Sequence, residues 1–403
     1  MSKVLVLGGN FAGLTAALEV KRKLADRRHT VKVVSLSDKF LFIPSLIWVP
    51  FREREISQIT RPLEPIFRRK GVEFENAEAL SIDPLQKVVK TTEGEEEYDY
   101  LVIATGAKFN YGALPGSDPK LGHNHAIHYP GGAMATREAF DALVADPGPA
   151  VVAAAPGASC MGAAYEFLFN LEYNLRKAKV RKQVDLYWIT PEPYAGHFGI
   201  DGVRGGKAML TAMLKALNIK TMVNTAIASV DERGLTLASG ELIESKFNMI
   251  MPAFTGQDVI PESGNDLGNE AGFIPVNGTY QHQRYPHIFA AGVAINVTKP
   301  FTTPLPLGIP KTGFPADTEG KVVGENIAKM LKGDLELKSK PFDEIPPLCV
   351  MDAGHKEVLI YGNRFFKPRK LEFMIPNPVY DVSKRMLEKY FLAKAAAGLS
   401  QLP

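Results

Sequence analysis

The sequence predicts an α/β protein made of two Rossmann-like dinucleotide-binding units and a C-terminal membrane-facing extension, and three observations carry that expectation. An apolar run, Val4-Leu-Val-Leu, passes into a glycine-rich turn ending at Gly13, then a small-residue helix pattern and a second apolar run, Val31-Lys-Val-Val-Ser-Leu36. A buried-strand pattern, Tyr98-Asp-Tyr-Leu-Val-Ile, closes in Ala104-Thr105-Gly106. From Val151 the sequence strand, small-residue turn, helix recurs. Strands alternating with helices in this way build a parallel sheet.

Length and composition agree with two units. A chain of 403 residues is long for one core and fits two domains, or one with an extension. Apolar residues make up 45%, and a net charge of +3 does not point to a nucleic-acid partner. Two cysteines cannot staple such a chain. The first strand pattern begins at Lys3 without a basic-apolar-small leader, so a cytoplasmic protein is expected. The longest apolar stretch, Phe40 to Phe51, is about 12 residues broken by Pro44 and Pro50, against the roughly 20 of a spanning helix, so no transmembrane segment is expected. The predicted division is 1–112 with 265–335 for the first unit, 113–264 for the second, and 336–403 for the C-terminal region.

In the first unit, Gly8, Gly9, Asn10, Phe11, Ala12 and Gly13 form the turn whose backbone N–H groups would hold a pyrophosphate at a helix start. Gly8 and Gly13 take the outer glycine places of G-x-G-x-x-G, and Asn10 takes the middle one. A tight ligand-free turn would use the same pattern. The strand ending in Thr105 and Gly106 resembles a second signature of two-dinucleotide flavoprotein reductases, and together the two segments make FAD the leading cofactor. Ser35 stands where the ribose-binding acid usually sits and can hydrogen-bond a ribose itself; Asp38 comes three residues later.

In the second unit, Cys160 follows the small-residue turn at a helix start, where the helix dipole favours a thiolate. The strand Val184 to Thr190 ends without a ribose-reading acid and runs into Pro191-Glu-Pro193, which disfavours NADH. A helix is expected from about Gly206 to Ala216. The chain returns through Tyr285 to Val293, with Gly292 in the turn that closes the FAD site in related reductases. Lys311, near the next helix start, is placed to stabilise negative charge on a reduced flavin ring, or is a solvated lysine.

These segments resemble sulfide:quinone oxidoreductase from Lys3 to about Gly398. The closest pieces are Gly157-Ala-Ser-Cys160-Met-Gly-Ala-Ala-Tyr-Glu166-Phe, Gly196-His-Phe-Gly-Ile200, Tyr285 to Val293, Pro310-Lys-Thr-Gly313, Leu348-Cys349-Val-Met-Asp-Ala-Gly354 and Lys389-Tyr-Phe-Leu392. The cysteine segment separates this group from the type II NADH dehydrogenases, whose second unit keeps a glycine-rich NADH turn. The resemblance implies that Cys160 and Cys349 form a redox pair beside the flavin, cycling between a disulfide or polysulfide bridge and free thiols. It implies electron transfer from sulfide to a membrane quinone. Glu166 would accept protons or sit on a packed helix; His197 would handle protons near the quinone or be an ordinary loop histidine. One departure stands out. A third family cysteine, tied covalently to the flavin in some members, is absent, with His128 at its position and Gly132 where a histidine often follows, so FAD is expected to be non-covalent.

The C-terminal region bears on the acceptor. Aromatics alternate with cations from Arg364 to Phe373, and a helix is expected from about Val379. At about 100° per residue, Val379, Val382, Met386, Tyr390, Ala393 and Ala397 share one side, and Lys384, Arg385 and Lys389 another. Such a helix lies in a lipid interface with its cations toward headgroups, or packs on the protein's own core. Family likeness favours peripheral, monotopic attachment to the bilayer surface on the cytoplasmic side, with Phe373, Tyr390 and Phe391 lining the quinone ring. The expected partners are sulfide, polysulfide, quinone and lipid; a homo-oligomer stays open, and no metal site is assigned. The alternatives are the flavin subunit of a sulfide dehydrogenase that passes electrons to a cytochrome, a type II NADH:quinone reductase, or a catalytically silent flavin-binding module.

Overall fold

Val4, Leu5, Val6 and Leu7 point alternately to both faces of strand β1 (Lys3–Leu7), and all four are buried. A strand buried on both faces needs helices on each side of its sheet, the signature of a parallel α/β layer. The computed structural model describes residues 2–24, 28–264, 266–377 and 382–401.

In chain order the elements that position the site are β1, α1 (Phe11–Lys23), β2 (Thr30–Ser35), β3 (Glu73–Asn76), β4 (Tyr100–Ile103), β5 (Ala107–Asn110) and α2 (Pro130–Ala145). The second unit follows with β6 (Ala150–Ala154), α3 (Met161–Lys177), β7 (Leu186–Ile189), α4 (Gly206–Ala216), β8 (Lys220–Met222), β9 (Phe247–Met251) and β10 (Ala253–Gly256). The chain then forms β11 (Ile288–Ala290), α5 (Gly313–Leu331), β12 (Cys349–Asp352), β13 (Glu357–Gly362), β14 (Glu372–Asn377) and α6 (Ser383–Ala397).

Two parallel sheets result. The first has the order β11-β4-β1-β2-β3, so β11, late in the chain, pairs with β4. The second has the order β8-β7-β6-β9. An antiparallel pair, β5 with β10, joins the end of the first unit to the end of the second. A third sheet, β12-β13-β14, is antiparallel and carries the C-terminal region.

Close backbone approach explains the small residues. Gly8 has φ +102, and a Cβ there would lie 2.3 Å from Ala104 O; a Cβ on Gly13 would lie 1.9 Å from Gly8 O. Helices α1 and α5 cross through similar contacts, since a Cβ on Gly320 would come within 2.2 Å of Ala12 O. Replacing Gly320 with valine forces these helices apart, at about 2 kcal/mol or more. Thermal unfolding should therefore give a lower midpoint for Gly320→Val than for the native chain; an unchanged midpoint would show that the crossing tolerates the added volume.

Candidate active site

The first group of site residues lies at the glycine turn, Gly8 to Gly13. Beside it, Asn10 Oδ1 and Thr105 Oγ1 are buried without a hydrogen-bond partner, and the Cβ position of Gly106 faces open space. Buried oxygens left unpaired in a native fold await a ligand or water. Leu36 stays 74% exposed just past buried Ser35, offering apolar surface beside the ribose position. These features fit FAD, with Gly8 to Gly13 at the pyrophosphate and Thr105 and Gly106 nearby. The Gly292 N–H is taken by Glu319, whose carboxyl burial raises to about 8. Sequence reasoning missed Glu319, because its partner is a backbone amide 27 residues away. Lys311 Nζ donates to Val293 O and Ile295 O, both at 2.8 Å, and lies 3.7 Å from the Phe273 ring centroid. Its ammonium is held by the backbone beside Gly292 rather than solvated, and burial lowers it to about 7.

The second group of site residues holds the two cysteines. Cys160 caps the N-terminus of α3, and Cys349 opens β12. Both are half-buried free thiols. The carboxylate of Glu166, one and a half turns into α3, accepts the backbone N–H of Asp352 at 2.9 Å, which fixes β12 against α3. Glu166 opposes ionisation of both thiols and Lys384 favours it, while Cys349 also feels Cys160, so the two sulfurs share one electrostatic environment.

The expected dipole-stabilised thiolate is corrected here. Burial pushes Cys160 up to about 11 and Cys349 up to about 12, outweighing the Ala163 N–H at the start of α3. A helix terminus contributes at most about 2 kcal/mol, roughly 1.5 pH units, less than the cost of removing the sulfur from water.

Other assigned residues fall as follows. Glu166 is ion-paired with Lys384 at 2.5 Å, and burial, the leading influence, raises its carboxyl above the ordinary range. His197 is buried against Tyr194 and Phe301, accepts the Gly199 N–H, and is lowered by burial to about 4, so it is neutral at pH 7. Glu192, unassigned from sequence, is fully buried beyond β7 and accepts from Tyr165 Oη at 2.8 Å, Phe198 N at 2.7 Å and Thr190 Oγ1 at 3.1 Å. The acid nearest the ribose-reading position is thereby consumed. His128 Nε2 lies 2.6 Å from Tyr111 Oη, and the ring packs 4.0 Å from Phe109. Phe391 is buried between Phe11 and Phe42 and meets half-exposed Tyr390 edge-on; Phe373 stacks instead on Tyr361 at 5.4 Å. The structure thus brings Tyr390 and Phe391 together and sets Phe373 in a separate ring stack.

Helix α6 corrects a second expectation. Val382, Met386 and Tyr390 are 57%, 63% and 41% exposed, whereas Lys384, Glu388 and Lys394 are buried. Lys384 and Arg385 face Glu166 and Glu53 rather than headgroups, and only Lys389 of the three cations is exposed. Val379 lies outside the described residues. Among those described, no helix is long and apolar enough to cross a membrane.

Residues 2–139 match the pyridine nucleotide-disulphide oxidoreductase family, so fold and site define a flavin-dependent oxidoreductase. The sulfide-quinone reductase of Aquifex aeolicus is 32% identical over 98% of this chain and 91% of its own. The crystal structure of the sulfide:quinone oxidoreductase from Aquifex aeolicus matches with a TM-score of 0.94 at 30% identity, covering 99% of this chain and 92% of that one. Mouse mitochondrial sulfide:quinone oxidoreductase is 23% identical over 73% of this chain and 66% of its own. NDH2 from Plasmodium falciparum shares the fold, with a TM-score of 0.73 at 13% identity. The chain belongs to the sulfide-quinone reductase family and is an FAD-dependent enzyme of sulfide oxidation and quinone reduction.

Buried histidines make the fold acid-sensitive. An unfolded histidine takes up its proton near 6.5, whereas His125, desolvated against Phe247, does so only near 4. Between those values the unfolded chain binds the extra proton, so stability is lost as pH falls through the window. Unfolding midpoints should drop between pH 6.5 and 4, and His125→Leu should drop less over the same interval; equal slopes would contradict this.

Proposed function

We propose that Cys160 and Cys349 are the sulfur-handling pair of this sulfide:quinone oxidoreductase. The observation that carries this reading is their shared environment: two cysteines 189 positions apart, on α3 and β12, held beside the same Glu166–Lys384 ion pair. Hydrosulfide attacks one sulfur of the oxidised pair, its S–S bond breaks, a persulfide forms on one cysteine and a thiolate leaves on the other. The net balance is H2S plus quinone giving sulfur at the zero level, extended as polysulfide, plus hydroquinone. FAD, when bound, supplies the two-electron relay between sulfur and quinone. Glu166 stands beside both thiols to hold a proton released from them. His197, lowered by burial to about 4, stays neutral at pH 7 and serves as a hydrogen-bonding group between Tyr194 and Phe301. Non-covalent FAD binding accords with His128, which is already engaged with Tyr111. NADH is not a donor in this reading, because Glu192, the first acid after β7, is enclosed by Tyr165, Thr190 and Phe198. The first unit comprises 1–112 with 265–335, the second 113–264, and 336–403 forms the acceptor-side region.

We further place the exposed stripe of α6 in the bilayer surface, on the anionic cytoplasmic leaflet that suits exposed Lys389. A helix that turns Lys384, Glu388 and Lys394 inward and Val382, Met386 and Tyr390 outward reverses the arrangement of a water-facing helix. Tyr390 then offers an exposed ring where an apolar quinone would enter, with buried Phe391 packed edge-on behind it.

Anaerobic sulfide should bleach the flavin of the native protein, and Cys160→Ser and Cys349→Ser should each slow that bleaching by about 100-fold or more while keeping bound flavin. Retained rates in both variants would sink the sulfur-pair mechanism. In vesicle flotation with anionic lipid, Met386→Glu combined with Tyr390→Glu should stay at the bottom of the gradient while the native chain floats; co-flotation of both would remove α6 from the interface.

A further inference from the structure

Lys384 is the residue whose placement departs most from its chemistry. A lysine on a surface helix ordinarily extends into water. This one is 2% exposed in the first turn of α6, with its Nζ 2.5 Å from Glu166 Oε1 and 5.1 Å from the Trp48 ring centroid. Its backbone N–H and that of Ser383 are both capped by the buried Glu357 carboxylate. Trp48 in turn donates to Asp352 at 2.7 Å, and Asp352 gives its own N–H to Glu166. The groups facing the pair are therefore Cys160 from α3, Cys349 and Asp352 from β12, and Glu357 from β13. Arg54 and Arg385 lie over the same Trp48 ring, and Glu388 and Glu53 pair with them.

A buried ammonium is kept only where its charge is used or tightly matched, and leaving Glu166 alone would strand an uncompensated carboxylate beside two thiols. Both sulfurs feel Lys384 in the direction that favours thiolate and Glu166 in the direction that opposes it.

We propose that Lys384 is a positioning residue of the sulfur chemistry: carried on the acceptor-side helix, its ammonium holds the Glu166 carboxylate in place and offsets its charge, so that α6 sets how readily Cys160 and Cys349 ionise. This deepens the sulfur-pair reading by adding the element that controls thiol reactivity. The helix that faces the lipid surface thereby enters the sulfur site through one side chain, 218 positions from its partner.

The test is the rate of iodoacetamide alkylation of each cysteine at pH 8.5 in the reduced, FAD-loaded protein, read by peptide mass. Lys384→Met should slow alkylation of both thiols by about tenfold, and Glu166→Gln should speed it by about tenfold, since one pH unit of thiol acidity is a tenfold change in thiolate. Lys384→Arg should restore most of the native rate, and the double variant Glu166→Gln with Lys384→Met should lie near native. Opposite signs in the two single variants separate a charge effect from loosened packing, which would speed both. If Lys384→Met misfolds, Lys384→Gln takes its place, and a slowing there beside the rise in Glu166→Gln decides. Equal rates in all correctly folded variants, or shifts of the same sign, overturn the proposal. Alkylation uses neither sulfide nor quinone, so its outcome stands apart from sulfide-driven bleaching of the native flavin, whose absence would instead overturn the sulfur-pair reading.

Discussion

One hydrogen bond, from the backbone N–H of Asp352 to the carboxylate of Glu166, ties the C-terminal sheet to the helix that starts at Cys160. Together with the ladder that pairs Cys349 with Ile360 of β13, it fixes β12, and with it Cys349 three residues before Asp352, against α3. The carboxylate that receives this bond is buried and needs a counter-charge, which Lys384 supplies. Trp48 reaches the same Asp352 from the segment after the first unit's second strand. Two distant stretches of chain, β12 and α6, thus converge on one carboxylate, with Trp48 joined to it through Asp352, and the proposed sulfur site sits at that convergence.

The convergence has a chemical consequence. Burial raises the pKa of Cys160 to about 11 and that of Cys349 to about 12, so each thiol is protonated at neutral pH. Reactivity must then come from local charge rather than from the helix terminus alone. The two influences named for both sulfurs, Glu166 and Lys384, act in opposite directions, which makes their balance, more than either group singly, the quantity that the fold controls.

Much of the fold was legible because its constraints are local. Gly8 and Gly13 announce the first unit, since no Cβ fits at either position, and unbroken apolar runs such as Val4 to Leu7 announce buried parallel strands. Cys160 was legible as a helix-start residue for the same reason, yet its acidity was not, because burial is set by chain segments far from α3. Lys384 and Arg385 show the limit most clearly. Helical periodicity places them opposite Met386 and Tyr390, and the structure agrees, but periodicity cannot say which face meets water. That depended on Glu166 and Glu53, and no local pattern encodes a partner more than 200 positions away. Glu192 and Glu319 were missed on the same ground: each carboxylate accepts a backbone N–H that leaves no trace in side-chain pattern, and Glu192 is completed by Tyr165, 27 positions away.

In the proposed reading helix α6 joins the sulfur pair to the surface where a quinone would arrive. Its inner face is held by Lys394 to Asp317 of α5, by Glu388 to Arg54 and by Lys384 to Glu166, so the element that displays Met386 and Tyr390 outward is clamped to α5 and to the helix that starts at Cys160. The central claim is that Cys160 and Cys349 meet. Mild oxidation of the protein in the presence of limiting sulfide, followed by proteolysis without reductant and mass analysis, tests it directly. The account predicts one cross-linked peptide pair joining Cys160 to Cys349, with species heavier by whole sulfur atoms. Recovery of both cysteines only on separate, unlinked peptides would contradict it.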